Sequence, residues 1–217
     1  MRVGLFVTCL VDLMRPDIGF SVLKLLEKAG YDVVVPPAQT CCGQPAYNSG
    51  DRPLARDLAE KTLKEFEQFD YVVIPSGSCG GMIRKGYADL FRDDPELAGR
   101  YERLAPRVHE LTDFLVNVAR IESLDSEFKG HVTYHDSCSG LRELGVKAQP
   151  RALLAGVAGA TLRGRIANCV TENCGIAGKA ADGIYTSGTQ NLVTDCVALS
   201  CNDTGAVVEN SNHSGIV

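Results

Sequence analysis

Three short apolar runs in the first half of the chain each end in a cysteine-bearing segment and are separated by amphipathic stretches. Residues 2–8 read as a buried strand, Tyr31-Asp32-Val33-Val34-Val35 as a second and Tyr71-Val72-Val73-Ile74-Pro75 as a third. Between them, residues 18–29 carry helical periodicity and stop at Gly30, and Pro53 opens a long helix to about Phe69. Further helices are expected near 83–92, 95–104 and 111–121. Strands that alternate with helices predict an α/β fold with a parallel sheet, because parallel neighbours need a crossover connection.

That alternation gives the cysteines a common address. Cys9 follows the first strand, Cys41-Cys42 sit in the loop 38–50 after the second, and Cys79 follows the third, a C-x31-C-C-x36-C spacing. In a parallel sheet these segments all lie at the carboxyl edge, where open α/β folds bind ligands. Adjacent side chains ordinarily point apart, so both thiols of a doublet serve one target only if the loop bends around it. The glycines of Ser76-Gly77-Ser78-Cys79-Gly80-Gly81 allow close approach of the backbone.

Composition narrows the chemistry. The apolar and charged fractions, 45% and 23%, are those of a globular protein, and 217 residues bury one large core or two small ones. A net charge of -5 without a basic cluster argues against a nucleic-acid surface. No apolar stretch approaches a membrane span, and the N-terminal run is too short for a signal peptide, so the expected location is cytoplasmic. Nine cysteines in that compartment point to metal or redox work rather than disulfides. There is no G-x-G-x-x-G after a strand, no P-loop and no G-x-S-x-G elbow.

The second half restarts the pattern. His131-Val132-Thr133-Tyr134-His135-Asp136-Ser137-Cys138 repeats strand-then-cysteine, Asn173-Cys174-Gly175 repeats the doublet loop with its first cysteine replaced, and Asn191 to Cys196 repeats the third strand. We read two tandem pseudo-repeated units with parallel strands and flanking helices, residues 1–121 and 130–217, the second truncated or degenerate and divergent after about 163. Its ligand candidates are Cys138, Cys174 and Cys196, with Cys169 or Cys201 as a fourth. His135, three residues before Cys138, is a candidate donor to a sulfur of that site or a ligand in it, or else caps the strand end. Asp12, Arg15, Arg84 and Lys85 are surface residues or contacts for a carboxylate or an acidic partner.

The blocks Phe6-Val7-Thr8-Cys9-Leu10-Val11-Asp12, Cys41-Cys42-Gly43-Gln44-Pro45, Pro75-Ser76-Gly77-Ser78-Cys79, Glu110-Leu111-Thr112-Asp113-Phe114 and Tyr134-His135-Asp136-Ser137-Cys138 resemble the cysteine-rich CCG domain family of iron–sulfur oxidoreductase subunits, to which the cysteine-rich component of heterodisulfide reductase belongs. The resemblance covers residues 1 to about 163. It implies an iron–sulfur cluster, [4Fe-4S] in type, held by Cys9, Cys41, Cys42 and Cys79. It also implies an electron-transfer role with other iron–sulfur subunits in a complex that oxidises L-lactate or a similar 2-hydroxy acid. Heterodisulfide reductase adds a cysteine that closes a C-x-x-C pair, and in that neighbourhood this chain has Gly77 or Gly81-Met82. Alternatives are a heterodisulfide-reductase-like thiol–disulfide redox subunit and a non-enzymatic zinc module, since four thiolates also suit tetrahedral zinc. After Cys174 only 21 residues precede Cys196, against 36 between Cys42 and Cys79, so the helix expected there is missing. Divergence, a degenerate second site and a sequence error beyond 163 each account for this.

Overall fold

The computed structural model describes residues 1–162 in full and, beyond them, only the backbone of short strands such as Arg165–Ala167 and Leu192–Thr194. Two compact units form, Met1–Leu124 with Asp136–Gly156, and Asp125–His135 with Val157–Val217.

The first unit is an α/β layer structure. Its sheet has the order β2-β1-β3-β4, with all pairs parallel: β1 is Arg2–Leu5, β2 Asp32–Val34, β3 Tyr71–Ile74 and β4 Val108–Glu110. Helix α1 spans Cys9–Met14 and α2 Pro16–Lys28, with Pro16 in its first turn, where a missing N–H costs nothing. Helix α3 spans Gln44–Ser49 and α4 Arg52–Phe66, which Asp51 caps by accepting from the Leu54 N–H at 3.2 Å. Helix α5, Gly77–Gly81, runs through a π-helical turn, Met82–Gly86, into α6, Tyr87–Leu90. Helix α7 is Pro95–Leu104, capped by Asp94, and α8 is Leu111–Asp113, capped by Glu110. After β5, Glu127–Val132, come α9, Cys138–Leu144, and α10, Ala148–Ala155. In the second unit β5 pairs in parallel with β6, Ala158–Leu162.

The period-two alternation of the strands assigns each face its core. Phe6, Val72 and Ile74 pack with Ala59, Leu63, Phe66 and Tyr87 of α4 and α6. Val3, Leu5 and Val73 face the other way, onto Val22, Leu26, Phe114 and Leu153. Gly4 belongs to the first face, and a Cβ there would stand 2.5 Å from the Phe69 ring. A sheet covered on both faces explains why its strands read as unbroken apolar runs.

The expected strands and the helices around 18–29, 53–69 and 95–104 form close to their predicted bounds. The segments 38–50 and 76–81, expected as loops, instead contain α3 and α5, and Cys9 opens α1. These helices have six, six and five residues, too short to show periodicity. Strand β4 was not expected, because His109 and Glu110 interrupt its apolar pattern. Among the described residues no helix is long and apolar enough to cross a membrane.

Candidate metal centre

In the sheet order β2-β1-β3-β4 the chain leaves β1 in one direction for β2 and crosses back over β1 to reach β3. The crevice between the carboxyl ends of β1 and β3 is therefore the topological switch point, where α/β folds of this order bind ligands. Cys9 follows β1 and Cys79 follows β3, so the two flank that crevice.

Each thiol is delivered by a local device. Thr8 caps α1, its hydroxyl accepting from the Val11 N–H at 3.3 Å, which puts Cys9 at the first helical position. Thr8 does so at φ 74°, ψ 145°, a conformation that costs a β-branched residue about 1–3 kcal/mol and that clusters at functional sites. Gln39 joins the end of β1 to the doublet loop: its amide oxygen accepts from the Val7 N–H at 2.9 Å and its amide nitrogen donates to the Leu5 carbonyl at 3.2 Å. Gly43 adopts φ 84° after the doublet and starts α3, and a Cβ there would lie 3.2 Å from the Ala55 carbonyl. Below the loop, the fully buried Tyr87 hydroxyl donates to the Cys42 carbonyl at 2.9 Å. Ser76 caps α5 by accepting from the Cys79 N–H at 3.4 Å, and Gln44 donates to the Ser78 carbonyl at 3.3 Å, tying α3 to α5.

The doublet splits between two partners. The Cys41 thiol meets Cys9, and the Cys42 thiol meets Cys79, while Cys9 also lies in the field of Cys79. Cys42 is buried, and Cys9, Cys41 and Cys79 are half-buried. Contact with Cys42 brings Cys79 down to about 7 against the resistance of burial, helped by the Ser76 and Ser78 hydroxyls. Its partner Cys42 is pushed up by that same contact and then by burial, so Cys79 carries the thiolate of the pair. Burial, then repulsion from Cys41, raises Cys9. Thiolate is the form that binds metal, and the Cys42–Cys79 pair is poised to supply it near neutrality. Among the described residues no three His, Cys, Asp or Glu side chains are gathered around a single ion position.

Cys138 is exposed and opens α9, behind the Ser137 cap that accepts from the Gly140 N–H at 3.1 Å. Helix α9 lies directly on α5. A Cβ on Gly77 would be 2.5 Å from the Ser137 hydroxyl and 2.8 Å from the Gly140 backbone, and one on Gly81 would meet the Glu143 carboxylate. Cys169, Cys174, Cys196 and Cys201 lie outside the described residues. Arg15 is held by Asp17 at 3.0 and 2.8 Å. Arg84 gives its carbonyl to the Tyr101 hydroxyl and contributes to the low pKa of Asp113, whose main cause is the 2.8 Å contact with His109. Sequence reasoning did not single out Tyr87, Gln39, Thr8 or Ser76. Only the two hydroxyl caps carried a signal, as Ser or Thr shortly before a cysteine.

The family model for the cysteine-rich domain, CCG, matches residues 3–84, which include Cys9, Cys41, Cys42 and Cys79. Lactate utilization protein A of Geobacillus thermodenitrificans is 47% identical over 162 residues, covering 75% of this chain and 67% of that one. The protein of the same name from Bacillus cytotoxicus is 41% identical over 180 residues, 82% of this chain and 73% of that one. The chain belongs to the cysteine-rich CCG domain family, in the group of lactate utilization protein A.

Proposed function

We propose that this chain is an iron–sulfur-binding electron-transfer subunit that serves the oxidation of L-lactate or a similar 2-hydroxy acid. The observation that carries the reading is the convergence of Cys9, Cys41, Cys42 and Cys79 at the β1/β3 crevice as two interacting thiol pairs. Two pairs of thiols around a crevice suit a group of several atoms better than one ion, whose four ligands each lie about 2.3 Å from it. The relatives' name supplies the metabolic context.

In this reading the four thiolates hold a [4Fe-4S] cluster, which supplies one-electron storage when bound. The chain's own part is to orient and shield. Tyr87 and Gly43 fix the backbone of the doublet, Ser76 and Ser78 place hydroxyls at Cys79, and the α4–α6 core keeps water from one side. Other iron–sulfur subunits are the proposed partners, and the cytoplasm the proposed location. Residues 1–121 form the first functional unit in this proposal and 130–217 the second, where Cys138, Cys174 and Cys196 are the candidate ligands, with Cys169 or Cys201.

Iron and acid-labile sulfide counted on anaerobically purified protein and on C42S test the first site. Loss of most of the iron in C42S is expected. Full retention refutes the ligand set, and about one zinc per chain with no visible absorption replaces the cluster by the zinc reading. An electron paramagnetic resonance signal that appears only with added thiol moves the function to thiol–disulfide chemistry.

A further inference from the structure

A cavity of about 340 Å³ opens beside the thiol site, within the range of small-molecule pockets. Cys9 and Cys41 line it, while Cys42 and Cys79 do not. It therefore adjoins one edge of the four-thiol set and is distinct from the space between the pairs. Its walls are mostly apolar, from Val7, Val35, Pro36 and Pro37, and Leu13 stands at its rim, 76% exposed. The polar groups are the Thr8 and Thr40 hydroxyls and the Gln39 amide, which is already committed to the backbone of β1.

One residue decides the charge. Asp12 is the single charged side chain among the lining residues, and none of them is a cation. The nearest guanidinium along the chain, Arg15, is taken by Asp17. A carboxylate entering here would meet Asp12 without a countercharge and would leave water for an apolar wall, and both effects oppose it.

We propose that this cavity is a binding site for small molecules without negative charge, apolar in body and neutral or cationic, which it leads to the Cys9–Cys41 edge, and that it turns carboxylates away. The consequence deepens the functional reading, on which this step rests: a 2-hydroxy acid is not oxidised at this edge, and its electrons arrive from a partner. The strained Thr8, which starts α1 and sets Cys9 and Asp12 on the cavity wall, gives that segment a reason to hold a costly conformation.

Charged thiol reagents test this directly on the full chain, reduced and stripped of metal by chelator. The cationic trimethylammonium-ethyl and anionic sulfonatoethyl methanethiosulfonates each form a mixed disulfide with a thiolate and release methanesulfinate. Peptide mass spectrometry reads the labelling rate at Cys9, with exposed Cys138 as the internal reference outside the cavity. The cation-to-anion rate ratio at Cys9, normalised to Cys138, is expected to exceed one by about threefold to tenfold at low ionic strength and to shrink in high salt. Asp12→Asn is expected to bring it close to one. A ratio near one in the wild type, a ratio that Asp12→Asn leaves unchanged, or a Cys9 that no reagent reaches each overturns the proposal. Iron counting is independent: a chain that binds no iron yet selects by charge refutes the cluster alone, and a chain that loads iron but shows no selectivity refutes only the cavity.

Discussion

Tyr87→Phe removes one oxygen atom from the floor of the thiol site. Tyr87 has no exposed surface, Cys42 is 2% exposed, and their 2.9 Å hydrogen bond spans 45 residues of chain. Phenylalanine keeps the ring contacts with Phe91 and Tyr101, so packing is conserved. What changes is polar satisfaction. A neutral hydrogen bond contributes about 1 kcal/mol net, and leaving its buried acceptor without a partner costs about 1–3 kcal/mol. The Tyr87 hydroxyl also interacts with Thr62, which retains its own bond to the Leu58 carbonyl at 2.9 Å. The expected loss is therefore about 2 kcal/mol, from the Cys42 carbonyl alone. For a chain of this length that lowers Tm by roughly 4–8 °C. Urea unfolding followed by circular dichroism measures the stability, and the iron count on the same preparation measures the site. Both should fall, because the tether holds the doublet as well as the fold. A stability change below about 0.5 kcal/mol would mean that the Cys42 carbonyl is satisfied otherwise. Lost stability with full iron retention would mean that the tether supports the fold and does not position the thiol.

Gly77→Ala places a methyl 2.5 Å from the Ser137 hydroxyl and 2.8 Å from the Gly140 backbone, so α5 and α9 must part. Urea unfolding should show a loss of about 1–3 kcal/mol. Gly99→Ala, whose nearest neighbour is the end of Arg103 at 3.8 Å, should stabilise α7 by about 0.5–1 kcal/mol, and equal effects at the two glycines would refute the close crossing. Iodoacetamide labelling of Cys79 in the metal-free chain should rise with a midpoint near 7, and Cys42→Ala should move it toward 9.0; an unmoved midpoint removes Cys42 as the cause. Burial raises Glu110 above 4.5, so the folded state keeps that proton longer than the unfolded chain does. Its contribution is full below 4.5 and is lost as pH rises through the folded value, whereas Asp113, pulled below 3.8 by His109, contributes above 3.8 and is lost on acidification. Glu110→Gln should flatten the fall in stability as pH rises above 4.5, and an unaltered slope would refute the assignment.

The architecture of the first unit was legible because its strands are apolar on both faces and its longer helices are punctuated by Pro16, Pro53, Pro95 and Gly30. The common edge of Cys9, Cys41, Cys42 and Cys79 followed from topology alone. The partition of the doublet was not legible. Nothing in Cys41-Cys42 says which thiol meets Cys9 and which meets Cys79, since that depends on the φ of Gly43 and on a tyrosine 45 residues away. The short helices α1, α3 and α5 escaped for a related reason. A five- or six-residue helix does not offset the cost of its own nucleation, so it exists through its caps and its packing. Strand β4 escaped because His109 and Glu110 serve local partners, Asp113 and the first turn of α8, in place of an apolar pattern.

The caps suggest why cysteine follows strand so consistently in this chain. Thr8 precedes Cys9 and Ser137 precedes Cys138, and in both places the hydroxyl accepts from a backbone N–H three residues on. Ser76 does the same one turn before its cysteine, binding the N–H of Cys79 itself. A capped first turn holds its backbone without help from neighbouring strands, so a thiol there keeps its place when its ligand is absent. The doublet lacks such a cap: Gly43 carries no side chain, and Cys41-Cys42 lie before α3 rather than in it. Its stiffness has to come from Tyr87, 45 residues away, and from Gln39 just before the doublet, whose side chain ties the loop to the end of β1. Damage to the caps should therefore act locally on one thiol, whereas damage to Tyr87 should disturb both thiol pairs together, because Cys42, whose carbonyl it holds, is joined directly to Cys41 of the other pair.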